Sequence, residues 1–194
     1  MSAVEFERAE IVRLLGLLDG RLRARGVAAS VYVVGGAAIA VTVHDARRTL
    51  DVDALVSDRV VMEEARLLAE AEGIPPTWLN ENAKPWVPPR PAEATTTPTR
   101  PGLTIHWAPA DHLLAMKLVA MRPQDAPDIA ALAHQIGLGT DPAAYADLLE
   151  RVYSGEGALQ QVLGVSHDTV RTEAIRRGSI AVRLVSQGQQ DPRR

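Results

Sequence analysis

Asp51 and Asp53, in the run LDVDAL, are the residues of this sequence best spaced to act together. Side chains alternate along a strand, so both carboxylates leave one face, about 7 Å apart. Upstream, Val31–Val34 reads as a short buried strand, ended by Gly35 and Gly36 at the start of an apolar helix over 37–43. Glycines lack a Cβ and let a phosphate approach the backbone at a helix start. Two carboxylates beside such a turn suit a Mg²⁺ ion carrying a nucleoside triphosphate. A second charged set lies in HLLAMKLVAMRPQDAPDIAAL, with Lys117 and Arg122 as cations and Asp125 and Asp128 flanking Pro127. Leu113, Leu114, Met116, Leu118 and Val119 would bury one face of the helix that bears Lys117. The two aspartates also suit the N-terminal cap of the following helix, with Pro127 in its first turn.

The elements that must position these residues follow from periodicity. Val4, Ile11, Leu14, Leu15, Leu18 and Leu22 recur at helical spacing and predict one long amphipathic helix before the first strand. A second helix is expected over 60–72, stopped by Gly73, Pro75 and Pro76. TWLNENAKPWV reads as a short turn or helix. Pro85, Pro88, Pro89, Pro91, Pro98 and Pro101 then make 84–102 a mobile or polyproline-like loop. LTIHWA returns as a strand of the same sheet. Helices are expected over 111–121, 128–136 and 142–153, with two more segments over 157–186. The expected fold is therefore α/β (α+β). A small mixed sheet with its N-terminal helix occupies 1–108, a helical C-terminal region 109–187, and a disordered tail 188–194.

Composition excludes several classes. The chain has 194 residues, 46% of them hydrophobic, with one Phe, three Trp and three Tyr, so its core is built from Leu, Val, Ala and Ile. It has no cysteine, which rules out disulfides and cysteine-ligated zinc. The start, MSAVEFERAE, lacks the features of a signal peptide, and no apolar run reaches the roughly 18 residues of a membrane span. A cytoplasmic protein without membrane partners is expected. The net charge of −3 argues against a general polyanion binder, so nucleic acid would need a local basic patch.

Two such patches exist. Arg21, Arg23 and Arg25 either complement a helix C-terminus or contact an RNA backbone. The run ALQQVLGVSHDTVRTEAIRRG reads first as an ordinary αα-hairpin capped by Ser166, and it also follows a helix-turn-helix pattern. From His167 on, six arginines (171, 176, 177, 183, 193 and 194) face Asp168, Glu173 and Asp191, a local charge of +3. His44, His106, His112, His134 and His167 show no metal-ligand spacing. Ser30 and Ser57 have no evident base partner.

Taken together, the GG turn and the Asp-x-Asp about ten to fifteen residues later resemble the nucleotidyltransferase superfamily. The R-T-x-D-x-D run of Arg48, Thr49, Asp51 and Asp53, the WLN of Trp78, Leu79 and Asn80, and LLAMK with its following Arg and spaced Asp pair resemble the AbiEii/MenT-like toxin branch. The likeness covers about residues 5–137. It implies a Mg²⁺-dependent enzyme that transfers NMP from an NTP to an RNA acceptor, the tRNA 3′ end. Such an enzyme acts as a translation-blocking toxin of a toxin–antitoxin system, some of whose antitoxins are kinase-like.

Carried over by residue, Asp51 and Asp53 would hold Mg²⁺, and Gly35, Gly36, Arg48, Thr49, Lys117 and Arg122 would contact the nucleotide. Lys117 would stabilise phosphate charge, and Asp128, or Asp125, would orient the lysine or act near the attacking hydroxyl. Trp78, Asn80, Lys84 and Trp86 would border the acceptor entrance, where tryptophan can stack on a base. Thr49 would be a regulatory phosphorylation site. The chain departs from the family where LTIHWA offers Thr104 and His106 in place of a third carboxylate, and where Gln124 replaces a basic residue. Two alternatives remain open: a nucleotidyltransferase for a small molecule such as an antibiotic, and a DNA-binding or antitoxin-like module with a decayed catalytic core.

Overall fold

The N-terminal apolar stripe folds as α1 (Arg8–Ala24), burying Ile11, Leu14, Leu15, Leu18 and Leu22 along one side. Val4 does not join it. It precedes the helix and is 42% exposed, while Phe6 is buried and exchanges two backbone hydrogen bonds with Thr49. The computed structural model describes residues 4–189, which form two compact units. One contains the described residues up to Lys84 together with Arg90–Ala108. The other contains Pro85–Pro89 and the residues from Pro109 onward.

The first unit is a four-stranded mixed sheet in the order β3-β2-β1-β4. β1 (Ala28–Val33) is largely apolar because it is central, with five of its six residues buried. It runs antiparallel to β2 (Val52–Val56) and parallel to β4 (Gly102–Trp107). β3 consists only of Leu79 and Asn80, parallel to β2. This strand corrects the expectation of a turn or helix there. The apolar helix after β1 is α2 (Gly35–Thr42), so both glycines lie inside it rather than before it.

α3 (Arg59–Glu72) starts where the Asp58 carboxylate accepts the Val60 N–H at 2.8 Å, and it stops at Gly73 in the left-handed conformation (φ +66°). Its buried Glu64 accepts from Arg21 at 2.6 Å and Arg25 at 2.7 Å. Arg25, then Arg21, hold the Glu64 carboxyl below its ordinary range against the opposing effect of burial. Arg23 pairs with Asp19 at 2.8 Å, whose carboxylate also accepts the Leu103 N–H of β4. The arginines read as a possible RNA contact are thus tied up within the unit. The proline-rich stretch is not purely extended: it forms single 3₁₀ turns at Lys84–Trp86 and Ala92–Thr95, the latter burying Ala94.

The second unit is helical: α4 (Ala110–Ala120), α5 (Ala126–Gln135), α6 (Pro142–Val152), α7 (Ala158–Leu163) and α8 (Val170–Gln189). α6 has the cap that local chemistry favours, with Asp141 accepting the Ala143 N–H at 2.9 Å and Pro142 in the first turn. α5 is entered from a 3₁₀ turn at Pro123–Asp125, and Asp125 makes no capping bond, contrary to expectation. α8 runs to Gln189, so 188 and 189 are helical rather than disordered; the rest of the expected tail lies outside the described residues.

α8 packs along α5 and α6, burying Ala174, Ala181 and Val185. The hairpin of α7 and α8 therefore contributes one face to this unit's core. Arg171 pairs with Asp147 (2.7 Å) and Glu150 (3.0 Å), and Arg176 and Arg177 pair with Glu173. Arg177 also donates to the carbonyls of Leu118 and Val119, which the last turn of α4 leaves without helical partners. Gly178 marks the closest approach, since a Cβ there would lie 2.3 Å from the backbone oxygen of Pro142. Backbone cannot move aside as a side-chain tip can, so Gly178→Ala is expected to cost about 1–3 kcal/mol, the range of core overpacking. Urea unfolding of the variant checks this; an unchanged midpoint would show that the two helices can separate freely. Among the described residues no helix is long and apolar enough to cross a membrane.

Candidate functional site

The carboxylates of interest lie at the start of β2. Asp51 immediately precedes the strand and Asp53 is its second residue, with Val52 buried between them. Both are half-buried. The neighbouring strand explains how they are held. β3 places Asn80 in register with Asp53, and the buried Asn80 amide donates to Asp51 Oδ2 at 2.9 Å. Asn80 Oδ1 in turn accepts the Asn82 N–H at 2.9 Å.

The glycines stand beside the same residues for a reason the sequence did not reveal. Gly35 begins α2 at φ +64°, and a Cβ there would lie 3.2 Å from Asp53 Oδ2. At Gly36 a Cβ would come within 2.8 Å of Thr49 Oγ1. A Cβ at either glycine would thus press on this chain's own side chains, a packing reason for glycine at these positions. Asp53 gains from that position, because a carboxylate is favoured at a helix N-terminus. The Thr49 hydroxyl also donates to the Asp51 carbonyl at 3.1 Å. Arg48 is exposed, 3.7 Å from Glu7.

Asp51 and Asp53 supply only hard oxygen donors, the kind Mg²⁺ takes when water and phosphate oxygens complete its shell. In that respect they fit the ion. Among the described residues no group of three or more His, Asp or Glu side chains is arranged to hold a metal, so the site would rest on two carboxylates. Thr104 and His106 lie on β4, which is separated from β2 by β1.

The second charged set comes together within the helical unit. Lys117 is buried on α4, with Asp125 Oδ1 2.6 Å and Asp128 Oδ2 2.8 Å from Nζ. The Asp128 contact is an ion contact rather than a well-aligned hydrogen bond. Arg122, largely exposed, reaches Asp125 Oδ2 at 3.3 Å. Both aspartates orient the lysine, and Asp125, the less favoured candidate, makes the shorter contact. The Asp125 carboxylate engages Lys117 instead of capping α5.

The substrate-loop residues separate. Trp78 is fully buried and donates from Nε1 to the Ala65 carbonyl at 2.9 Å, so it is a core residue and not a platform for a base. Asn80 belongs to the carboxylate pair described above. Lys84 is exposed, 3.9 Å from Glu81. Trp86 is 50% exposed, and its carbonyl accepts the hydroxyl of Tyr153, whose ionisation burial pushes far upward. Sequence reasoning missed the link between Asn80 and Asp51, because a two-residue strand carries no periodicity to reveal it. Compared with protein-family models, curated proteins and solved structures, the chain gives no match.

Proposed function

We propose that this chain is a Mg²⁺-dependent nucleotidyltransferase that moves NMP from an NTP to an RNA acceptor, the tRNA 3′ end, and so acts as a translation-blocking toxin. The observation that supports the reading best is the pair Asp51 and Asp53, both half-buried at the start of β2, with Asp53 beside the first residue of α2 and Asp51 oriented by Asn80. Mg²⁺ bound by the two carboxylates would neutralise triphosphate charge. The protein's own task would be to hold those oxygens in place, and Asn80 and the α2 N-terminus do this for Asp51 and Asp53 respectively. On α8, Arg171, Arg176 and Arg177 are ion-paired with acidic residues of the helical unit.

Purified protein incubated with Mg²⁺, labelled NTPs and total RNA tests the reading. Label on RNA is the expected result. Label only on an added aminoglycoside or lincosamide would favour the small-molecule enzyme. No label on either, with specific retention of DNA, would overturn nucleotide transfer altogether.

Regulation by an antitoxin with kinase activity would act through Thr49, whose hydroxyl adjoins Gly36 and donates to the Asp51 carbonyl. A phosphate adds about −1.5 to −2 charges at pH 7, here beside two carboxylates. Thr49→Glu is expected to lower transfer on the order of 100-fold, equivalent to about 3 kcal/mol. Thr49→Val is expected to stay active and to escape a silencing kinase. Initial rates of labelled NMP transfer measure both, and an active Thr49→Glu enzyme would sink the switch.

A further inference from the structure

We infer that Asn80 is a positioning residue for the Asp51 carboxylate, acting on metal affinity through Asp51 rather than as a substrate contact. The inference rests on the metal-site reading above. Three observations carry it. Asn80 is buried, and its two polar ends are committed in different directions. Oδ1 accepts the Asn82 N–H at 2.9 Å, and this fixes which end of the amide is which. Nδ2 is thereby turned toward Asp51 Oδ2, 2.9 Å away, and lies 3.5 Å from the Thr77 carbonyl. An amide held in this way is a one-way donor, so it selects one rotamer of the Asp51 carboxylate and leaves Oδ1 as the oxygen not engaged by Asn80. β3 is two residues long and pairs only at Val52–Leu79 and Asp53–Asn80. It does little as a strand beyond carrying Asn80 to that place. Residues that orient a metal ligand typically change metal affinity or activity 10–100-fold when removed.

The test measures Mg²⁺ binding by calorimetry, with Mn²⁺ binding by electron paramagnetic resonance as a second probe, alongside thermal unfolding. Asn80→Ala is expected to weaken metal binding about 10-fold or more, and Asp51→Ala to weaken it at least as much. The decisive variant is Asn80→Leu, which keeps the side-chain volume and every carboxylate but deletes the donor to Asp51. If Asn80 positions a ligand, a folded Asn80→Leu protein binds the metal about 10-fold or more weakly. Wild-type affinity in a folded Asn80→Ala protein, with affinity lost in Asp51→Ala, would overturn this inference alone. Wild-type affinity in Asp51→Ala as well would overturn the metal-site reading beneath it. Should Asn80→Ala not fold, Asn80→Leu decides: wild-type metal affinity in that variant would show that Asn80 only fastens two strands together.

Discussion

Asp51→Ala and Asp53→Ala are each expected to abolish the proposed nucleotide transfer in a protein that keeps its fold. The proposed site has two carboxylate ligands and, among the described residues, no cluster to replace a lost one. Removing half of the protein's charged ligands is expected to lower the rate at least about 1000-fold, a loss of about 4 kcal/mol in transition-state stabilisation. The fold is expected to survive because both side chains are half-buried and sit at the sheet margin rather than in the core. Loss of the Asn80 hydrogen bond in Asp51→Ala would cost about 1 kcal/mol. Labelled NMP incorporation measures the rate, and circular dichroism confirms the fold. Full turnover by either variant would remove the assignment.

Lys117→Met is expected to produce the largest loss of stability. Methionine keeps most of the apolar stem but deletes the ammonium that Asp125 and Asp128 share at 2.6 and 2.8 Å. Two buried carboxylates would then face each other with only the exposed Arg122 guanidinium as partial compensation. Breaking a buried ion pair by removing one partner typically costs about 3–5 kcal/mol, since the remaining charge stays desolvated. For a chain of this size that corresponds to a fall of about 10 °C in Tm. The triple variant Lys117→Met, Asp125→Asn, Asp128→Asn is expected to regain much of it, because neutral amides are cheaper to bury. Scanning calorimetry of both variants checks this. A Lys117→Met protein with wild-type Tm would show the cluster to be energetically idle, and the transfer rate of the refolded triple variant separates a chemical role from a packing one.

What the sequence determined by itself is what neighbouring residues decide among themselves. The apolar spacing of α1, α3 and α6, the Gly73 stop, and the strands around Tyr32 and Ile105 are local signals, set by burial of one face and by backbone preference.

Tertiary structure decided everything that depends on partners distant in the chain. Asn80 meets Asp51 across 29 residues, and Arg21 and Arg25 meet Glu64 across 43 and 39, so no window of sequence contains both halves of either interaction. Trp78 could have stacked on a ligand or filled the core; the Ala65 carbonyl, buried within reach of its N–H, settled it as core. Asp125 had the right position for a cap, but a buried ammonium needs compensating charge more than a helix end needs an acceptor, and Lys117 took it. Gly35 and Gly36 looked like an opening for phosphate. In the fold they are small because Asp53 and Thr49 lie where their side chains would be, and only the packing of β2 against α2 could show that.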